Sequence, residues 1–355
     1  MEVYLTGLYS GEPYISGEQP SGSIVKLNTN ENPYPPAPCV LEAISKFDGR
    51  KLRLYPRQDG GIIREALAEE HGVSPENVFV GNGSDEVLAL AFRAFFGFGK
   101  DKPVLFPEHT YSFYPVWCDF FNIPYKAIAA SEGFRLKADD FAIQNGGIVI
   151  CNPNAPTGIS EGELFLEKVI KSNGTQSVVI VDEAYGDFSE TSAVPKTTEI
   201  PNLLVTRSFS KGRSLAGLRI GYAIGNKKLI EALMAAKDSF NSYPVDAVAA
   251  AAGTASLKDR EYYLNTIDKI KKTRSETSNR LKKLGFDVPE SSANFVFAGC
   301  GSADRARRIF DFLCEGSIYV RYFDKPGISD RLRISIGTDA DMNAFFERLE
   351  EYLAL

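Results

Sequence analysis

The stretch Val178–Tyr185, VVIVDEAY, decides how this chain is read. A near-continuous apolar run that ends in a carboxylate suits a strand covered on both faces of a sheet. The acidic residue, Asp182, then stands at the strand's carboxyl end, which is where ligands bind in an open α/β sheet. Working outward, short apolar runs recur at Val78–Val80, Val104–Phe106, Tyr125–Ile128, Ile148–Cys151, Leu203–Arg207 and Arg219–Ile224. Longer amphipathic stretches lie between them, at Asp85–Phe96, Tyr111–Phe121 and Glu161–Lys171. Such alternation predicts crossover units, hence an α/β domain with a large, mostly parallel sheet of seven strands.

Past about Asn226 the pattern changes. Helices are expected at Leu229–Phe240, Val245–Leu257, Glu261–Leu284, Ala303–Cys314 and Asp339–Leu353. Short strands are expected at Asn294–Phe297, Ile318–Arg321 and Leu332–Ile336, giving a smaller α+β domain. The first residues, rich in Gly, Pro, Asn and Ser, read as an extended arm. The expected division is an arm at 1–38, a large domain at 39–242 and a small one at 243–355.

The chain has 355 residues, a formal net charge of −6 and only two histidines, His71 and His109. The charge disfavours nucleic acid or an acidic membrane surface as main partner, and two histidines disfavour a histidine-rich metal site. Five scattered cysteines with no CxxC pair read as free thiols in a reducing, cytoplasmic setting. The longest apolar run, VLALAFRAFFGFG, is interrupted by Arg93 and is too short to span a bilayer. No secretory signal is visible at the start.

Three further positions stand beside Asp182 in order along the chain: Asn152 in CNPNAPTG (Cys151–Gly158), Lys211 in SFSKGRSLAGLR (Ser208–Arg219), and Arg219 itself. An amide, a carboxylate, an amine and a guanidinium converging at strand ends are what is needed to hold an anionic aromatic aldehyde as an electron sink. Pyridoxal 5'-phosphate is such a molecule. Lys211 is the candidate covalent anchor. A free lysine titrates near 10.4, so its neutral form at pH 7 lies roughly 3 units, on the order of 4–5 kcal/mol, uphill; condensation with the aldehyde overcomes this. Ser208, Ser210 and Arg219 supply hydroxyls and a guanidinium suited to a phosphate. Asp182 would pair with a protonated ring nitrogen, or simply cap the next helix. Asn152 and Tyr185 could reach a ring hydroxyl. In GNGSDE (Gly81–Glu86) a strand runs into a helix, so Gly83, Ser84 and Asp85 could offer backbone N–H groups to the phosphate, or Ser84 or Asp85 could be a plain N-cap. Tyr111 could stack on the ring or be an ordinary core aromatic. Arg321 and Arg333, each in an apolar run, call for an anionic partner, either a substrate group or a structural carboxylate.

In this order the motifs resemble those of the fold-type I PLP-dependent aminotransferases, class II subgroup, and within them the histidinol-phosphate aminotransferases. The resemblance spans nearly the whole chain: PY at Pro13–Tyr14, LNTNENP at Leu27–Pro33, RLYP at Arg53–Pro56, GNGSDE, PEHTYSFY, CNPNAPTG, DEAY, RSFSKGRSLAGLRIGY, VRYF and LRISIG. It implies Lys211 as the Schiff-base lysine and catalytic base, Asp182 as pyridinium partner, Asn152 and Tyr185 on the ring hydroxyl, and Tyr111 on the ring face. It implies Gly83, Ser84, Asp85, Ser208, Ser210 and Arg219 around the phosphate, with Tyr55 reaching in from the second subunit of a homodimer. Tyr14, Asn30, Arg321 and Arg333 would hold an amino donor and a 2-oxo acid. Two departures stand out. Ala155 replaces an asparagine usual in NPNNPTG, and Arg213 adds a positive charge close to the lysine. Transfer to an aromatic amino acid, decarboxylation of threonine phosphate and a non-catalytic binding role are the alternatives.

Overall fold

The computed structural model describes residues 11–96, 102–175 and 177–355; residues 1–10 of the expected arm and Gly97–Gly99 of the longest apolar run lie outside the described residues. In chain order the first half holds β1 (Val25–Lys26), α1 (Pro38–Ser45), α2 (Gly61–His71), β2 (Val78–Asn82), α3 (Gly83–Phe96), β3 (Val104–Pro107), α4 (Phe113–Phe121), β4 (Tyr125–Ile128), β5 (Gly147–Cys151), α5 (Glu163–Asn173), β6 (Val179–Asp182), β7 (Leu203–Ser208) and β8 (Ile220–Gly225). The second half holds α6 (Lys227–Asp238), α7 (Ala247–Lys258), α8 (Arg260–Lys283), β9 (Phe295–Gly299), α9 (Ala303–Glu315), β10 (Ile318–Tyr319), β11 (Arg321–Tyr322), β12 (Arg331–Ser335) and α10 (Asp339–Leu353).

The large sheet has seven strands in the order β2-β8-β7-β6-β5-β3-β4. Only β8 runs antiparallel to its neighbours; the rest are parallel. Alternate residues of the central strands enter two separate hydrophobic clusters. Val149, Ile180 and Leu204 pack on one face, and Ile148, Ile150, Val179, Val181, Leu203 and Val205 on the other. That two-sided burial is why VVIV carries no polar residue at alternate positions. At roughly 25 cal/mol per Å² of apolar surface removed from water, each such side chain stabilises the fold by about 1.5–3 kcal/mol.

The smaller part is built on the antiparallel sheet β11-β12-β9, backed by α8, α9 and α10. The first cluster runs on from the large sheet into Phe295, Val296, Ile334 and Phe345, so one apolar core continues across both parts. The arm is not merely extended: β1 pairs in parallel with β10, and Leu27 is buried in the same cluster.

Three expectations are corrected. The single strand at Ile318–Arg321 divides in two, since β10 pairs with β1 while β11 pairs with β12. Arg219 is not the first residue of a strand; it has a left-handed φ of 52° and closes a short turn before β8. Helices α1 and α2 lie in a stretch assigned no helix. α1 starts directly behind a run of prolines, with Pro38 in its first turn, where the ring's fixed φ suits a helix. Helix α7 bears on the expected division at 243. Its Ala249, Ala252 and Leu257 belong to the cluster on the large sheet's second face, with Ile63 and Leu67 of α2.

Candidate active site

Strands β5, β6 and β7 end side by side, with Cys151 opposite Asp182 and Asp182 opposite Thr206. Above them lies a cavity of about 280 Å³. Lys211, Asp182, Tyr185, Ser208, Ser210, Arg219, Ser84, Asp85 and Tyr111 all line it, and so do Tyr14, Asn30, Arg321 and Arg333, the part, termed the rim, contributed by the arm and by β11 and β12. Residues as far apart in sequence as Tyr14 and Arg333 thus share one opening, as the strand-end argument requires.

Lys211 follows β7. Its amine donates to the Thr29 carbonyl at 3.0 Å and lies 5.8 Å from the centre of the Tyr185 ring. Burial, and next the charge of Arg333, lower its proton affinity to about 8. A sizeable neutral fraction is therefore present near neutral pH, which is what a nucleophile and base needs. Asn32 pins the lysine's backbone, donating to the carbonyls of Lys211 and Gly212 at 3.0 and 3.2 Å.

Asp182 is fully buried. Burial raises its carboxyl to about 6, offset in part by three donors: Tyr114 Oη at 2.7 Å, the Ala184 backbone N–H at 3.1 Å and Thr206 Oγ1 at 3.3 Å. Sequence reasoning missed Tyr114. It stands in the first turn of α4 among apolar residues, so no local signal sets it apart from the core. Tyr185 is buried, and its hydroxyl accepts from Asn30 Nδ2 at 2.9 Å. Asn30 is in turn bound by Ser335 Oγ at 2.9 Å, so it braces Tyr185 against β12.

At the other end of the cavity, α3 begins at Gly83 and points its N-terminus, with Ser84, toward Ser208, Ser210 and Arg219. Helix N-termini carry positive partial charge and free N–H groups. Gly83 has a φ of +82°, and a Cβ there would lie 2.5 Å from the Arg219 guanidinium. A Cβ on Gly221 would lie 2.3 Å from the Gly83–Ser84 peptide. The two glycines let that backbone and the arginine approach one point. Asp85 contributes its carboxylate here, accepting from Tyr111 Oη at 2.7 Å and Arg219 at 3.2 Å.

On the rim, Arg321 donates to the Ser16 and Ile15 carbonyls at 3.1 and 3.0 Å, holding the arm in place. Arg333 donates to the Asn28 carbonyl at 2.8 Å, and its buried Nε has no partner among the described residues. A buried guanidinium N–H left unpaired is costly, and an anionic ligand would satisfy it.

Three of the residues singled out in the sequence lie outside the cavity lining. The Asn152 amide does not line the cavity. Its Nδ2 donates to the Glu161 carbonyl at 3.1 Å and its Oδ1 accepts from the Glu161 N–H at 2.7 Å. One N–H and the oxygen of the side chain close the loop onto Glu161, which leaves the second N–H unused, and Ala155 and Pro156 of the same loop line the cavity. Arg213 adds no charge to the cavity lining. It turns away, pairing with Glu70 at 3.2 Å, donating to the Ser256 carbonyl at 2.7 Å and stacking over Tyr263 at 4.2 Å. Tyr55 is 82% exposed, stacked on Tyr243 outside the cavity of its own chain. A larger cavity of about 960 Å³ between α3, α4 and α6 has mostly Ala, Phe and Trp side chains in its walls and shares only Tyr14 and Phe113 with the first.

The donor set fits pyridoxal phosphate: hydroxyls, an arginine and a helix N-terminus for the phosphate, a buried carboxylate for the ring nitrogen and a buried amine for the aldehyde. The aminotransferase class I and II family model matches residues 22–349. The histidinol-phosphate aminotransferase of Chromohalobacter salexigens is 51% identical over 338 residues, covering 95% of each chain. That of Lactococcus lactis subsp. cremoris is 46% identical over 347 residues, 98% of this chain and 96% of its own. Among solved structures, histidinol-phosphate aminotransferase from Sinorhizobium meliloti, in complex with pyridoxal-5'-phosphate, matches with a TM-score of 0.85 over 93% of this chain and 92% of that one. At 24% identity this is a likeness of fold. A strand-end amine and carboxylate over one cavity, and a likeness that runs from the arm to the last helix, lead to the same place: this chain belongs to the class I and II aminotransferases.

Proposed function

We propose that the protein exchanges an amino group between histidinol phosphate and 2-oxoglutarate, with pyridoxal phosphate held at the Lys211 cavity. The arrangement that carries this reading is a buried amine of lowered proton affinity opening on the same cavity as a buried carboxylate and as an arginine whose buried Nε has no partner among the described residues. The relatives at 51% and 46% identity support the choice of substrate.

When bound, pyridoxal phosphate supplies an electron-withdrawing ring that spreads the charge left on the donor's carbon. The chain's own residues do the rest. Ser84, Ser208, Ser210 and Arg219 would hold the phosphate, Asp182 would pair with the ring nitrogen and favour its protonated form, and Tyr111 would pack against the ring. Tyr185 would reach the ring hydroxyl, and so would the second N–H of the Asn152 amide, whose first N–H and oxygen are held by Glu161. Lys211 Nζ would hold the aldehyde, and as a free amine it would be the base placed to accept the proton from the donor's carbon. Arg333, helped by Arg321 and Tyr14, grips the substrate's anionic group.

The same reading gives a cytoplasmic homodimer. Leu52, Leu54, Tyr55 and Ile62 are all exposed on one sequence-local surface, and a second copy would cover them and receive Tyr55 at its cavity. All five cysteines are free thiols, and no helix among the described residues is long and apolar enough to cross a membrane. The division into a large and a small domain belongs nearer the α7–α8 junction than at 243, because α7 packs on the large sheet.

Steady-state kinetics with histidinol phosphate, phenylalanine and threonine phosphate, each against 2-oxoglutarate, test the reading. The highest kcat/KM is expected for histidinol phosphate. A preference for phenylalanine would make the protein an aromatic aminotransferase, and dominant carbon dioxide release from threonine phosphate would make it a decarboxylase.

A further inference from the structure

We infer that Tyr114, seconded by Thr206, is a positioning residue that holds Asp182 as an oriented carboxylate for the cofactor's ring nitrogen. This rests on the pyridoxal-phosphate reading of the cavity. Tyr114 stands on α4, and its hydroxyl reaches Asp182 Oδ2 at 2.7 Å, the shortest of the three donors to that side chain. Thr206 approaches Oδ1 from β7 at 3.3 Å. The two carboxylate oxygens are thus tied in different directions, one to a helix and one to a neighbouring strand, which fixes the plane of the group. The Tyr114 ring cannot drift. It is fully buried, 5.8 Å from the rings of Phe92 and Phe106 and 6.2 Å from that of Trp117.

The donor is also locked in one protonation state. Burial and the neighbouring Asp182 push the Tyr114 hydroxyl far above the ordinary tyrosine range, so it keeps the proton that it donates to the carboxylate. A carboxylate accepting from it is favoured over the neutral acid, which works against the desolvation that otherwise raises Asp182. The other titratable groups facing Asp182 are the Cys151 thiol from β5, Asp85 from α3, Tyr185 from the following turn and Lys211 in the same cavity lining. Burial raises the Cys151 thiol and the Tyr185 hydroxyl, so both stay neutral at working pH. Asp85 opposes ionisation, which leaves Tyr114 and Thr206 as the side chains that favour it.

The test uses pyridoxamine 5'-phosphate, which has no aldehyde to condense with Lys211, so its affinity reads the ring and phosphate contacts alone. Its Kd for cofactor-free protein is followed by absorbance from pH 5 to 9 for the wild type, Tyr114→Phe and Thr206→Val. In the wild type affinity falls as pH drops through about 6, where Asp182 takes up a proton. This limb lies below the Lys211 titration near 8. Loss of the Tyr114 bond, a bond to a charged group, is expected to weaken binding at pH 7 roughly tenfold to a hundredfold. It should also move the acid limb upward by about one unit. Thr206→Val should move it the same way by less. The phenylalanine ring keeps the core packing, so thermal unfolding of the cofactor-free protein should change little. An acid limb and affinity unchanged in both variants overturns the inference, and so does a larger shift for Thr206→Val than for Tyr114→Phe. A wild-type protein that binds neither pyridoxamine phosphate nor pyridoxal phosphate sinks the cofactor reading itself, a distinguishable result.

Discussion

The floor of the cavity and its rim are made differently. The floor consists of the ends of β5, β6 and β7, where strand register alone puts Cys151, Asp182 and Thr206 in a row. Its polar groups are fixed by buried bonds between neighbouring strands and helices. The rim is assembled from the arm and from β11 and β12, some three hundred residues away. It is held chiefly by side chains reaching backbone carbonyls: Arg321 to Ile15 and Ser16, Arg333 to Asn28, and Asn294 to Asn30. A floor built on register is rigid and suits bond-making chemistry. A rim built on side-chain tethers can change its substrate without disturbing that chemistry. Floor substitutions should therefore act on kcat and rim substitutions on KM.

The largest effect is expected at the centre of the floor. Lys211→Ala should lower kcat by at least roughly a thousandfold, since it removes nucleophile and base together. The stability of the cofactor-free protein gives an independent check. Lys211 ionises near 8 in the folded chain, against 10.5 when unperturbed. Across that window the unfolded chain binds more protons than the folded one, so stability rises with pH. Below pH 8 both forms are protonated and the burial cost of the ammonium is felt in full. Measured by thermal unfolding, wild type should gain on Lys211→Ala as pH climbs from 8 to 10.5. A flat difference would mean the amine is not held in a desolvated site.

Next comes Arg333, the rim residue closest in influence to the floor. Arg333→Lys keeps a charge but loses the planar fork, and kcat/KM for an anionic donor should fall roughly tenfold to a hundredfold, mainly through KM. Arg333→Met removes the charge that, after burial, most lowers Lys211. Its rate of loading with pyridoxal phosphate should then show a midpoint above 8, moving toward the ordinary lysine value, whereas Arg333→Lys should leave the midpoint in place. Identical midpoints in all three proteins would break the electrostatic link between rim and floor.

This division also governs what the sequence makes legible. All seven strands of the large sheet, and Asp182 and Lys211 at their ends, follow from apolar runs and the residues that close them, which are local signals. Tyr114 was hidden because its apolar neighbours on α4 make it look like core, and it is core; only the register of β6 beneath it shows the carboxylate. The bonds by which the Asn152 amide closes its loop onto Glu161 carry no local mark, because a loop asparagine can serve backbone and ligand alike. Arg213 misled because two residues along a turn suffice to reverse a side chain's direction. Asn30 reads as a polar residue on an arm, and its contact with Tyr185 and Ser335 depends on pairing β1 with β10, a long-range fact with no local mark. The split of Ile318–Arg321 between two sheets has the same origin.

The smallest expected effect probes the seam itself. Asn32 is the one arm residue among the described ones whose side chain donates to the backbone of the lysine loop, at 3.0 Å to the Lys211 carbonyl and 3.2 Å to that of Gly212. Asn28 makes the contrasting tie, donating to the Glu18 carbonyl at 2.9 Å within the arm. Each neutral bond is worth about 1 kcal/mol. Asn32→Ala should thus lower kcat and the loading rate severalfold with KM nearly constant, because it frees the backbone that aims the amine. Asn28→Ala should raise KM by a similar factor and spare kcat, because it loosens the carbonyl segment that Arg333 holds. If instead the two alanine variants shift the same kinetic constant, the tethers on either side of the seam are equivalent. The cavity would then behave as one unit rather than as a fixed floor under an adjustable rim.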